Sequence, residues 1–107
     1  MNSIPKLQEL LVLESFRKRT AMYIGSNDIN FLESFLFGVG YTLDAYEIEE
    51  KWLLEGFNDW IANYYHWNES TAGWKNIIVK ECNGNTAFAL NKFFELYDLF
   101  RAEKINL

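Results

Sequence analysis

The chain has 107 residues, and we predict a single domain over residues 1–107 because this length supports one real core but not two. Half of the residues are hydrophobic and 18% are aromatic, which excludes an intrinsically disordered segment. The net charge of −5 argues against a nucleic-acid groove or an anionic membrane surface as the binding target, and it favours a basic partner.

Apolar residues recur at helical spacing along most of the chain, which predicts an all-α fold of about five helices. The apolar stripe of the first helix is Ile4, Leu7, Leu10 and Leu11. The second helix follows Asn27 and Asp28, a favourable cap, and its stripe is Ile29, Leu32, Leu36, Val39, Leu43 and Tyr46. Because Gly38 and Gly40 weaken this helix, we expect another element to cross it closely there.

Three further predicted elements complete the chain. The cleanest stripe, with spacing i, i+3, i+4, i+7 and i+8, is Phe57, Trp60, Ile61, Tyr64 and Tyr65. In the polar loop over residues 68–73, Ser70 or Thr71 is placed to cap a helix over residues 74–82. A β-branched run at 77–79 also fits a short strand over residues 76–81, so both assignments stay open. After a break at 83–85, the last helix carries Leu90, Phe93, Tyr97 and Phe100 on one face.

Residues 17–25 form an unusual segment, Arg-Lys-Arg-x-x-Met-Tyr-Ile-Gly, which resembles the start of the ATPase domain of DNA gyrase and its relatives. The helix that carries the Mg-ATP-binding residues of that family, and its Asp-x-Gly-x-Gly loop, have no counterpart in this chain, so we predict no nucleotide binding. In structural terms, the basic triplet at 17–19 completes the first helix, residues 22–24 fill the core and Gly25 turns the chain. A contact role for the basic triplet is the alternative.

Catalytic side chains do not form a recognisable set. His66 is the only histidine and Cys82 the only cysteine, so spacing supports neither a metal site nor a His–Cys nucleophile pair. We therefore predict a protein that is not an enzyme and that uses no metal and no cofactor. The single cysteine, an N-terminus unlike a signal peptide and the lack of an apolar run of about 20 residues predict a cytoplasmic protein that does not contact the membrane.

Negative charge is concentrated in the middle of the chain. Residues 26–74 contain nine acidic residues and one basic residue, Lys51, which leaves a net charge of +3 for the rest. Like charges repel one another, so the clustering indicates a binding role, although a solvated surface remains the alternative for any single carboxylate. Aromatic residues of the type that anchors interfaces lie nearby, at Trp52, Tyr64, Tyr65 and Trp67. Periodicity alone does not separate those in the core from those at an interface.

Short motifs along the chain resemble a group of small bacterial toxin-immunity proteins, which are encoded beside secreted or contact-delivered toxins. The matching segments are residues 19–25, 35–41, 57–62, 71–74 and 93–100. The match departs from the group's pattern at Val39, which separates two glycines, and at Thr71 in the loop. The resemblance implies an acidic, non-catalytic protein that binds tightly to a toxin domain, commonly a basic nuclease.

We therefore expect an immunity protein that blocks a basic toxin domain by electrostatic and steric occlusion, since a nuclease cleft must itself be basic. The predicted partner-binding residues are Asp44, Glu47, Glu49, Glu50, Glu55 and Asp59 for charge, with Tyr64, Tyr65 and Trp67 as anchors. The alternative function is a regulatory module that binds a gyrase-like ATPase by mimicking its opening segment.

Overall fold

The structure, a computed structural model, describes the backbone of residues 4–105 and the side chains of residues 4–104. Over these residues the chain is all-α, as predicted, and none of the helices has the length and apolar character needed to cross a membrane. The elements are a 3₁₀ helix Leu7–Val12 and six α-helices: α1 Glu14–Arg17, α2 Thr20–Ile24, α3 Ile29–Ala45, α4 Phe57–Tyr64, α5 Trp74–Glu81 and α6 Thr86–Ile105. The predicted domain covers residues 1–107, and its two ends, residues 1–3 and 106–107, lie outside the described residues.

The N-terminal segment differs most from the predicted helices. The 3₁₀ helix, α1 and α2 replace one predicted helix, so the described residues contain seven helical elements rather than about five. Leu11 is buried as expected, but Ile4 is 91% exposed. Arg17 fixes the segment in place. Its guanidinium donates to both carboxylate oxygens of Asp98 on α6, at 2.9 and 2.8 Å, and to the carbonyl oxygen of Leu11 at 2.7 Å.

The segment that resembles gyrase packs only partly as predicted. Ile24 is buried, and Gly25 turns the chain with a left-handed φ of +102°. The prediction that Met22 and Tyr23 fill the core is wrong, because they are 62% and 50% exposed. The physical reason is the shortness of α2: only Thr20 and Ile24, which lie one turn apart, face the core.

Helix α3 begins and packs largely as predicted. The carboxylate of Asp28 accepts a hydrogen bond from the backbone N–H of Asn30 at 2.8 Å and so caps the helix. The first three residues of the predicted stripe, Ile29, Leu32 and Leu36, are buried. Val39 and Leu43 are half-buried. Tyr46 was placed on the same stripe but is 75% exposed, because the helix ends at Ala45.

Helices α4 and α5 pack against each other, and α4 provides the cap at the start of α5. The backbone N–H of Trp74, the first residue of α5, donates to Asn58 Oδ1 on α4 at 2.8 Å. Neither Ser70 nor Thr71 caps α5, and the Ser70 hydroxyl instead donates to Asp59 Oδ1 at 2.5 Å. The cap therefore comes from a neighbouring helix, which local sequence does not reveal.

The strand considered for residues 76–81 does not form, because α5 covers that range. Ile77 and Ile78 are completely buried, and Trp74 is 9% exposed one turn earlier. Helical spacing thus places all three on the face that packs against α6 and its neighbours. This packing overrides the weak strand preference of a β-branched run.

Helix α6 is the centre of the core, and its predicted face, Leu90, Phe93, Tyr97 and Phe100, is buried. The Phe57 ring of α4 meets the rings of Phe93, Tyr97 and Phe100 edge-on, with centroid distances of 5.6, 5.9 and 5.1 Å. The Tyr97 hydroxyl donates to the carbonyl oxygen of Leu53 at 3.0 Å, and burial raises the pKa of that hydroxyl. Helices α3 and α4 both pack on α6, so the link between them starts and ends at helices that contact the same core helix.

Candidate protein-binding interface

A tight C-terminal motif ends α3 and directs the chain that follows. The backbone N–H of Ile48 donates to the carbonyl of Leu43 at 2.9 Å, and that of Glu47 donates to the carbonyl of Asp44 at 3.2 Å. These two bonds define the Schellman motif, whose left-handed position is usually occupied by glycine. Glu47 occupies it here with a φ of +52°, which costs about 1–2 kcal/mol for a residue with a Cβ.

Four carboxylates surround this helix end: Asp44, Glu47, Glu49 and Glu50, which we call the acidic segment. All four side chains are exposed. Of the five ion pairs found in the described part of the chain, none includes any of them. Asp44 and Glu50 line the same hollow beside Trp52, so the segment folds back on the end of α3. It therefore presents concentrated negative charge that no ion pair within the described residues neutralises.

The structure places Glu55 and Asp59 in other surroundings. The Glu55 carboxylate lies 3.8 Å from Lys51 Nζ, and its backbone carbonyl accepts a hydrogen bond from Lys104 Nζ at 2.8 Å. The Asp59 carboxylate on α4 accepts a hydrogen bond from the Ser70 hydroxyl, which connects the loop before α5 to α4. Both predicted site residues are engaged within the protein, and neither belongs to the acidic segment.

The predicted aromatic anchors lie at the far end of α4. The Trp67 indole N–H donates to Glu81 Oε1 at 2.9 Å, and the Tyr64 ring stacks on Trp60 with a centroid distance of 5.3 Å. Tyr65 is half-buried, and this burial is the main cause that raises its pKa to about 12. In the described part of the chain, no ring contact or hydrogen bond joins these three residues to the acidic segment. The predicted site therefore divides into separate patches.

A different set of aromatic rings, none of them among the predicted anchors, is exposed along α3 and just after its end. Phe37 and Tyr41 of α3 are 68% and 74% exposed, and Tyr46 is 75% exposed just after the helix. The sequence does contain a signal for them. Between Glu33 and Asp44 there is no charged residue, whereas a helix with one side in water normally carries a polar face. Between Glu33 and Asp44, the solvent-facing side of α3 is thus uncharged and carries exposed aromatic rings.

An apolar groove runs along α3, and none of these three rings is among the residues that line it. Its walls include Leu7 of the 3₁₀ helix and Phe35 of α3, and it ends at Ile48, next to the acidic segment. The close crossing expected at the two glycines exists only at Gly40, where a Cβ would lie 3.6 Å from the Trp52 ring.

Gly38 lines the groove and has no internal packing role. A Cβ built on this residue meets no atom of the described chain within 4 Å, and its backbone has the ordinary helical conformation. Glycine inside a helix is nevertheless less stable than alanine by about 0.5–1 kcal/mol. Nothing among the described residues accounts for that cost.

Basic side chains gather in a separate cavity of about 200 Å³ between the α3–α4 link and α6. Arg101 donates to the carbonyl oxygen of Gln8 at 2.7 Å. Lys104 donates to the carbonyl of Glu55 and lies 4.7 Å from the centre of the Phe100 ring. These cations clamp irregular backbone onto α6, which explains their position without a ligand.

The side chains considered for catalysis are separated by environment. His66 is exposed and ends α4 in a left-handed conformation with a φ of +60°. Cys82 is buried, and this burial raises the pKa of its thiol. Within the described range, no group of three or more histidine, cysteine, aspartate or glutamate side chains is placed to hold a metal ion.

Comparison of the chain with protein-family models, with curated protein sequences and with solved structures finds no match. The resemblance to toxin-immunity proteins therefore rests on the short motifs alone.

Proposed function

We propose that this protein is an immunity protein that binds a cognate bacterial toxin domain, a basic nuclease, and neutralises it without catalysing a reaction. The observation that carries the proposal is the acidic segment, four exposed carboxylates that no ion pair within the described residues neutralises. A nuclease needs a basic cleft to hold its polyanionic substrate. A compact acidic surface that enters this cleft competes directly with nucleic acid.

Charge and apolar contact have different parts in this mechanism. Opposite fields accelerate encounter over a Debye length of about 8 Å at physiological ionic strength. A single exposed ion pair, however, contributes only about 0–1 kcal/mol. Tight binding therefore needs apolar anchors, and the exposed rings of Phe37, Tyr41 and Tyr46 supply them beside the acidic segment.

Protection of cells tests the function directly. Immunity genes lie beside toxin genes, so co-expression of this protein with the product of the neighbouring gene should restore growth to cells that the toxin kills. The purified complex should also protect nucleic acid from digestion. A toxic neighbour that this protein fails to neutralise, or a neighbour without toxicity, would contradict the proposal.

Charge reversal tests the role of the acidic segment. The variant with Glu47, Glu49 and Glu50 all changed to Lys should associate with the toxin domain at least about tenfold more slowly at low salt and lose most of its salt dependence. The control changes Glu14, Glu69 and Glu95 to Lys; these residues are exposed and lie outside the acidic segment, and the net charge is the same. Stopped-flow association at several salt concentrations measures both. Equal slowing in both variants would show that net charge alone matters, and no slowing would place the interface elsewhere.

One observation favours the alternative function, a regulatory module for a gyrase-like ATPase. Met22 and Tyr23, which belong to the segment that resembles gyrase, are exposed and available to a partner. Affinity capture from a bacterial lysate should then recover a type II topoisomerase, and Tyr23→Ser should abolish the capture. Capture of a topoisomerase with the wild type and its loss with Tyr23→Ser would favour this alternative over the immunity proposal.

A further inference from the structure

We propose that the groove along α3 receives an amphipathic helix of the partner, with its apolar face on the groove floor and its basic residues toward the acidic segment. This inference rests on the proposed function, since it assumes the same partner. It adds the secondary structure of the segment that is bound and the position at which the helix backbone approaches most closely.

The first argument is Gly38, which lines the groove. Glycine is a poor helix former, yet no atom of the described chain occupies the space where a side chain would stand. A glycine that packing inside the protein does not require leaves room for something outside it. In helix-in-groove recognition, the missing side chain allows the bound helix to approach the backbone of α3.

The second argument is the shape and lining of the groove. From Ser34 to Leu43 it follows α3 for about 13 Å, which is between two and three helical turns. Phe35 and Ile48 provide apolar surface at its side and end. Leu43 and Ile48 line both the groove and the hollow that Asp44 and Glu50 line, so the apolar floor continues into the acidic segment. That combination is complementary to a helix with one apolar and one basic face.

The third argument concerns the backbone of the bound segment. An extended peptide binds by adding main-chain hydrogen bonds to an exposed strand edge. Helix α3 uses its own backbone groups in internal bonds, so the groove offers no such edge. A helix satisfies its own backbone and requires only side-chain contact from the groove.

Charge excludes a second copy of this chain as the occupant. In a two-fold symmetric dimer, each surface meets the same surface of the partner copy. Pairing through the groove would place both acidic segments in one interface between two copies that each carry a net charge of −5, and none of these carboxylates has a neutralising ion pair within the described residues. A second copy therefore offers no basic face to the acidic segment, and repulsion between like charges opposes such a dimer.

Gly38→Leu tests the groove without weakening the fold. The new side chain has free space at its Cβ and is a better helix former than glycine, so the melting temperature should not fall. The probe is a fluorescein-labelled peptide of about 18 residues with leucine on one helical face and lysine on the other. Fluorescence anisotropy should show at least about tenfold weaker binding to Gly38→Leu than to the wild type. The control, Ala102→Leu, adds the same side chain at an exposed position of α6 and should bind like the wild type.

The combined results separate this inference from the proposed function. If Gly38→Leu binds the peptide as well as the wild type does while the triple lysine variant loses binding, the groove proposal is overturned and the electrostatic interface stands. If the triple lysine variant binds normally while Gly38→Leu does not, the groove stands and the charge-based function fails. Absence of peptide binding to the wild type, or a concentration-dependent dimer that Gly38→Leu dissociates, overturns the groove proposal outright.

Discussion

Replacing Glu47 with glycine should stabilise the protein, although it removes a residue from the proposed interface. With its φ of +52°, Glu47 has a left-handed conformation that costs a residue with a Cβ about 1–2 kcal/mol and costs glycine almost nothing. Glycine also gives the unfolded chain more freedom, which offsets about 0.4–1 kcal/mol of that gain. The net stabilisation of Glu47→Gly is therefore about 1 kcal/mol, which raises the Tm of a domain of this size by about 4 °C.

Glu49→Gly is the matched control. Glu49 is also an exposed member of the acidic segment, but it is not among the described non-glycine residues with positive φ. The substitution removes the same charge without relieving strain, so it should lower stability by about 0.4–1 kcal/mol. Urea unfolding of the wild type and both variants measures the difference. If Glu47→Gly is no more stable than Glu49→Gly, the left-handed geometry assigned to the end of α3 is wrong.

Two further predictions concern Tyr65 and the cap of α5. The pKa of Tyr65 in the folded protein, about 12, lies above its ordinary value near 10, so its contribution to stability is complete below pH 10 and is lost as the pH rises toward 12. Urea unfolding between pH 10 and 12 should show a smaller loss of unfolding free energy for Tyr65→Phe than for the wild type. The same pH dependence of stability in both proteins would contradict the buried position of the hydroxyl. Asn58→Ala removes the acceptor for the Trp74 N–H and should lower stability by about 1 kcal/mol. The control is Asn63→Ala, at an exposed position of the same helix, which should change stability little. Equal urea unfolding midpoints for the two variants would refute the capping role.

The sequence predicted those parts of the fold that a helical stripe alone determines. The buried face of α6 and the start of α3 at Asp28 are confirmed, because a long stripe or a local cap carries enough information by itself. The N-terminal segment was not predicted, because its form depends on Arg17 reaching Asp98 across 81 positions of the chain. The cap of α5 likewise comes from Asn58 on another helix. Contacts that are distant in sequence decided each of these cases.

The candidate site was predicted in part, and the reason lies in where helices end. The sequence predicted one site from six acidic residues and three aromatic residues, whereas Glu55, Asp59 and the aromatic residues lie apart from the four carboxylates at the end of α3. Three helices end at left-handed residues that are not glycine: Glu47, His66 and Asn83. Asparagine and histidine are enriched in this conformation, but glutamate is not, so the residue type at 47 gives no signal of it. Without the turn at Glu47, the sequence could not show that Asp44 and Glu50 lie in one hollow at the end of α3.

Several unfavourable local features lie along α3 and at its end, and together they support a binding surface independently of any resemblance. Gly38 weakens α3, Glu47 is strained, and the aromatic ring of Tyr41 is exposed to water. Four like charges also repel one another within the acidic segment. None of these features contributes to the core around α6, where the side chains pack at helical spacing and the Tyr97 hydroxyl has its partner. In a foldable sequence such departures are expected mainly where function requires them, so the surface that combines all four is where a partner should bind.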